Sequence, residues 1–115
     1  MYSDLDGRTV IVTGASQGIG AAIARAYATA GAKVVVHYRS SREPAEEIVN
    51  SISKHGGNAV AIAAALNQVD DVDRLFAAVT DTYGNADVLI NNAGSFPNSP
   101  LLDLGLDDWK KMYAD

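Results

Sequence analysis

The chain has 115 residues, 48% of them hydrophobic, and a formal net charge of −5. That length suits one compact domain, and the acidic balance, with no run of Lys and Arg, argues against a nucleic-acid surface, which needs clustered cations facing phosphates. The lack of cysteine removes disulfides and thiolate metal sites.

No apolar run approaches the roughly 18 residues of a membrane span. The start, Met1-Tyr2-Ser3-Asp4-Leu5-Asp6, has neither the positive charge nor the apolar core of a secretion signal. A cytoplasmic protein with no membrane partner is therefore the expectation.

In chain order, short apolar runs alternate with amphipathic ones. Residues 9–13 (TVIVT) are β-branched and apolar at consecutive positions, as in a central strand covered on both faces. Thr13-Gly14-Ala15-Ser16-Gln17-Gly18-Ile19-Gly20 follows, and from Gly18 a helical stripe is expected through Ile19, Ala22, Ile23, Ala26, Tyr27 and Ala30 to a stop at Gly31. Residues 33–38 are a second buried strand, built on Val34-Val35-Val36. A polar stretch then leads to Pro44, expected at the first helical position, where a missing N–H costs nothing. Its helix carries Ala45, Ile48, Val49 and Ile52 on one face.

Residues 59–64 are a third strand, supported by their place in the alternation more than by their alanines. The next helix has Val72, Leu75, Phe76, Val79 and Tyr83 on one stripe, with a cap expected from an Asp near position 70 and a stop at Gly84. Residues 87–91 are a fourth strand. This alternation is the pattern of parallel crossovers in an α/β, doubly wound sheet. The expected strand order is 3-2-1-4, with a ligand crossing the carboxyl ends of strands one and four.

The glycine turn lies at that edge, between a strand end and a helix start, the context that makes such a string a phosphate cradle. Gly14 can take the positive φ of a sharp reversal. Gly18 lets the main chain approach a pyrophosphate, and Gly20 lets the helix pack closely on its strand. Free N–H groups of the first helical turn, aided by the helix dipole, would face the phosphates. The same glycines can also serve packing alone, and the alternation around them favours the cradle.

Thr13-Gly14-x-x-x-Gly18-x-Gly20, together with Asn91-Asn92-Ala93-Gly94 after the fourth strand, resembles the short-chain dehydrogenase/reductase family. The likeness runs from the strand before Thr13 to a helix beginning near Leu106 and containing Trp109. It implies a Rossmann-like fold and an oxidoreductase that moves hydride between a nicotinamide dinucleotide and a small carbonyl or alcohol substrate. It implies a homo-oligomer as well. By the same likeness Ser16, Gln17 and Ile19 join the three glycines against the cofactor, Asn91, Ala93 and Gly94 border the adenosine ribose, and Asn91 has an equal claim to tying the central strands together.

Arg39 follows the second strand, where an acidic residue would hold both ribose hydroxyls of NAD(H) and an arginine accommodates a 2′-phosphate. Its guanidinium offers a charge-assisted fork, with Ser40, and Ser41 or Arg42, alongside. The alternative is a solvated loop arginine, and Gln17 is neutral where phosphate-preferring relatives often carry a cation. NADP(H) is therefore favoured, with NAD(H) possible. Relatives commonly place an Asp after the third strand to accept from the adenine amino group. Here Ala65 stands at that position, so adenine recognition would fall to Leu66 and the backbone.

The resemblance also implies catalytic Ser, Tyr, Lys and Asn groups, the Lys four residues after the Tyr. No Tyr of this sequence has a Lys at that spacing, so the expectation is that the sequence stops before the catalytic half and holds no catalytic residue. The other reading is an inactive nucleotide-binding or regulatory module. His37 and His55 match no metal-ligand pattern and are expected to have surface or packing roles. Asp70-Asp71-x-Asp73 and Asp103-x-x-x-Asp107-Asp108 suit helix starts and solvated faces. The fourth strand is expected to be an exposed edge that invites association.

Overall fold

The computed structural model describes residues 5–16 and 18–92. Gln17, Ala93, Gly94, the loop at residues 95–100, the acidic group at Asp103, Asp107 and Asp108, and the helix expected near Leu106 lie outside them. Seven elements follow one another: β1 (Thr9–Val12), α1 (Gly18–Thr29), β2 (Lys33–Tyr38), α2 (Arg42–Lys54), β3 (Asn58–Ala63), α3 (Val69–Tyr83) and β4 (Val88–Ile90). The sheet has the order β3-β2-β1-β4 with every pair parallel. β2 has the bounds expected from the sequence, and the strand ends that differ in β1, β3 and β4 do so by one residue.

Burial on both faces explains the unbroken apolar runs. Side chains alternate across a strand, so Val10, Val12, Val34 and Val36 join the core under α1 and α2, while Ile11 and Val35 join Leu75, Val79 and Leu89 under α3. All six of these β1 and β2 side chains are fully buried. The alanine-rich β3 follows the same rule, with Ala59 and Ala61 toward one core and Val60 and Ile62 toward the other. At the opposite end of the sheet from the glycine turn, Asp87 precedes β4 and joins it to β1: its N–H donates to Thr9 O at 2.9 Å and its Oδ2 accepts from Thr9 N at 2.9 Å.

Three local expectations are corrected. The buried face of α1 is Gly20, Ala21, Ala24 and Ala28, flanked by partly buried Ile23 and Tyr27, and not a stripe starting at Ile19. Ile19 is 73% exposed. The small residues face the sheet because the helix begins directly after the turn and has to lie close to it, which puts the bulkier Ile19 outside.

Pro44 is the third residue of α2. It is tolerated there because the first helix bond of this turn is donated one residue later, from Ala45 N to Ser41 O at 3.2 Å. The N-cap of α3 is Gln68, without a side-chain bond. Asp71 is not a cap: its Oδ2 reaches back to accept from Ala65 N at 2.8 Å, and its other oxygen pairs with Arg74.

Candidate cofactor-binding site

The site is built at the carboxyl ends of the strands, where β1 turns into α1. Gly14 has φ 61° and Gly18 φ 62°, the left-handed region in which a side chain is strained. Two donors of the turn face inward. Gly14 N donates to His37 Nδ1 at 3.0 Å, and Ala15 N donates to His37 O at 2.9 Å. The turn is thereby fastened to the end of β2.

Its other side is fastened to β4. Thr13 is fully buried, and its N donates to Ile90 O at 3.0 Å. Its hydroxyl donates to the same carbonyl at 3.3 Å and accepts from Asn92 N at 2.9 Å. The Asn92 side chain then donates through Nδ2 to Gly14 O at 3.1 Å. Asn92 is thus a strand tie that sequence reasoning passed over in favour of Asn91. The signal available was the Asn pair, which does not tell by itself which member faces the turn.

The glycines divide the work. A Cβ on Gly20 would stand 2.5 Å from Asn92 Nδ2 and run into Gly14 O, so this position is closed by the turn itself and by Asn92, not by the strand. A Cβ on Gly18 would meet nothing within 4 Å. The space there is open. The first-turn N–H groups of α1 have no acceptors within the helix. Exposed Ile19 and half-buried Ser16 border the same opening.

The residues expected to border the adenosine follow the β2 and β3 ends. Arg39 and Ser40 are exposed, and Arg39 has no ion-pair partner among the described residues. Arg42 is instead engaged by Glu46 one turn along α2, at 3.2 Å. Ser41 is the N-cap residue of α2 but makes no side-chain cap bond. After β3, Leu66 is 7% exposed and belongs to the core under α3, so little of its side chain is left for a ligand. The N–H of Ala65 is taken by Asp71. Ala93, Gly94 and Gln17 lie outside the described residues, and half-buried Asn91 lies at the β4 end.

His37 has neither a surface role nor a merely space-filling one. The residue is 2% exposed, and its Nε2 lies 2.9 Å from Ala64 O. Because Gly14 N can only donate, Nδ1 holds a lone pair and Nε2 carries the proton, which leaves the ring neutral. Burial pushes the imidazole below its ordinary value, opposed in part by the bond to the Ala64 carbonyl, which favours the proton. No sequence pattern marks this residue, since a histidine in an apolar strand has no spacing signature.

The family model described as short chain dehydrogenase matches residues 8–114. The chain belongs to the short-chain dehydrogenase/reductase family. It is 42% identical over 112 residues to a protein named 3beta-hydroxysteroid dehydrogenase 1 from Eggerthella lenta, covering 97% of this chain and 43% of that one. It is 42% identical over 108 residues to a 3-oxoacyl-[acyl-carrier-protein] reductase from Synechocystis, covering 94% and 44% of the two. Among solved structures, a short chain dehydrogenase from Burkholderia cenocepacia in complex with NADP superposes with a TM-score of 0.74 at 41% identity, over 94% of this chain and 44% of that one. A dehydrogenase/reductase from Sinorhizobium meliloti gives 0.76 at 36% identity, over 94% and 43%. The chain therefore spans less than half the length of these relatives.

Two outcomes follow from this short-chain dehydrogenase/reductase site. Gly20→Ala is expected to lower stability by about 1–3 kcal/mol through overpacking against Gly14 and Asn92, measured by chemical denaturation; an unchanged midpoint would contradict the contact. His37 has a folded pKa below its unfolded value near 6.5, so the unfolded chain binds its proton first. Its contribution is complete above that pH and is lost as pH falls below it, by up to about 1.4 kcal/mol per pH unit. Denaturation midpoints measured from pH 8 to 5 should fall on the acid side, with a smaller acid slope in His37→Asn.

Proposed function

We propose that this chain is the NADP(H)-binding portion of an oxidoreductase that transfers hydride between the nicotinamide and a carbonyl or alcohol substrate. The observation that carries the reading is the turn after β1. Its outer space is open above Gly18, and the orphan N–H groups of a helix start border that space. The family supplies the reaction class, and two of the relatives carry the names of a 3beta-hydroxysteroid dehydrogenase and a 3-oxoacyl-[acyl-carrier-protein] reductase. Both names fit carbonyl and alcohol chemistry.

In this reading Gly14, Ser16, Gln17, Gly18, Ile19 and Gly20 form the pyrophosphate side. Asn91, Ala93 and Gly94 border the ribose, and the turn at Ala65 borders the adenine, with Leu66 turned mostly into the core and the Ala65 N–H held by Asp71. When bound, the cofactor supplies or accepts the hydride; the chain's residues bind it, orient it and give its phosphates their donors. Ser, Tyr and Lys groups of the family's chemistry are proposed to lie outside this 115-residue sequence, which offers no Tyr with a Lys four positions on. The bound state is proposed to operate in the cytoplasm. Among the described residues no helix is long and apolar enough to cross a membrane.

NADP(H) is preferred over NAD(H) because Arg39 is exposed and unpaired among the described residues, at the end of β2 and just ahead of the α2 N-terminus. A 2′-phosphate there gains a guanidinium fork and a favourable helix dipole. Titration of NADPH and NADH against the unsubstituted protein and Arg39→Ala tests this. The substitution should cost NADPH about 1–3 kcal/mol and NADH little. An equal loss for both would defeat the assignment, and no binding of either by the unsubstituted protein would defeat the function.

A further inference from the structure

Two polar links at the carboxyl edge of the sheet converge on one side chain. His37 sits at the end of β2 and joins the turn after β1 to the turn after β3. Gly14 N donates to its Nδ1 at 3.0 Å, and its Nε2 lies 2.9 Å from Ala64 O. The backbone of the same segment repeats the pattern, since Ala15 N donates to His37 O at 2.9 Å and Ala64 N to Tyr38 O at 3.1 Å. The two turns joined in this way are the ones that border the phosphate and adenine ends of the proposed nucleotide path.

The consequence for the turn is directional. Gly14 is in a left-handed conformation with φ 61°, and its N–H is held inward on the His37 ring while the next N–H, of Ala15, goes to the His37 carbonyl. A hydrocarbon at position 37 would leave both the Gly14 N–H and the Ala64 carbonyl without this partner in a site where the ring is 2% exposed. The vacated N–H would then favour a rotated turn, or a solvent molecule in place of the ring. We propose that His37 is a positioning residue for the cofactor: its neutral imidazole turns the Gly14 N–H inward and so aims the remaining N–H groups of the turn outward, toward the phosphates.

The inference rests on the nucleotide reading of the site and goes beyond it by assigning a role to a side chain that touches no ligand. It differs from an ordinary core role in a measurable way. A core histidine holds the fold, and its loss lowers stability. A positioning histidine holds the direction of a donor, and its loss weakens both nicotinamide cofactors alike, since the pyrophosphate is common to them. Arg39, by contrast, separates the two cofactors.

Stereochemistry supplies the variants. The amide oxygen of an asparagine reaches the place of Nδ1, so His37→Asn keeps an acceptor for Gly14 N. The amide nitrogen of a glutamine reaches the place of Nε2, so His37→Gln keeps a donor for Ala64 O and loses the acceptor for Gly14. His37→Leu loses both. Dissociation constants for NADPH and NADH, measured by cofactor fluorescence at pH 7.5 beside a thermal melt of each variant, decide the matter.

The expected result is an affinity within about threefold of the unsubstituted protein for His37→Asn, and a loss of about tenfold or more for His37→Gln, equal for both cofactors. The melting temperatures of the Asn and Gln variants should lie close together. Affinities that follow melting temperature alone, or that stay intact in His37→Gln, would overturn the inference while leaving the nucleotide reading in place. No binding by the unsubstituted protein would overturn the nucleotide reading itself.

A measurement free of substitutions guards against variants that fail to fold. Long-range 1H–15N NMR correlations of the His37 ring in the unsubstituted protein should show Nδ1 unprotonated and Nε2 protonated at pH 7.5. A proton on Nδ1 would remove the acceptor on which the inference depends and would overturn it.

Discussion

The N–H of Gly14 points into the protein, and the carboxyl edge of the sheet is arranged around that fact. A chain that reverses off a buried strand has several backbone groups to satisfy within a few residues. Here Gly14 N and Ala15 N go to the end of β2, and Gly14 O goes to the side chain of Asn92 beyond β4. The turn is thus tied to both neighbours of β1. The first N–H groups of α1, like those of any helix start, have no acceptor within the helix. If the turn is the proposed cradle, it is held in this way before a ligand arrives, and less ordering has to be offset on binding.

The same constraint determines how α1 packs. Its sheet-facing residues are Gly20, Ala21, Ala24 and Ala28, and they lie over a floor of Val10, Val12, Val34 and Val36. Larger residues on that face would lift the helix and pull its N-terminus away from the turn. Ile19 is consequently outside, an apolar side chain beside an otherwise polar opening. In the proposed reading, it would offer a nucleotide an apolar surface next to the phosphate donors.

The order of the sheet was legible in the sequence because it rests on regularities that survive without tertiary knowledge: consecutive β-branched residues at 10–12 and 34–36, helical stripes between them, and a glycine turn at the first crossing. The need for glycine at positions 14 and 20 was legible for a related reason, since only a glycine satisfies a positive φ or a closed space. The face of α1 was not, because periodicity finds a stripe of the largest residues while the contact here selects the smallest. Asn92, His37 and Asp71 were not legible either. Each acts on a backbone group brought near by the fold, His37 on Gly14 and Ala64, Asn92 on Gly14, Asp71 on Ala65. Such partnerships leave no spacing in the chain.

The central claim is that a nicotinamide dinucleotide lies along the carboxyl ends of the strands, with its phosphates at the start of α1. The most direct measurement is a 1H–15N NMR titration with NADP+ on assigned protein. The account predicts amide shifts concentrated at Ser16, Gly18, Ile19, Arg39 and Asn92, with little change in the groove between α1 and α2 lined by Arg25, Ser51 and His55. Saturable shifts centred on that groove, or none at the glycine turn, would contradict it.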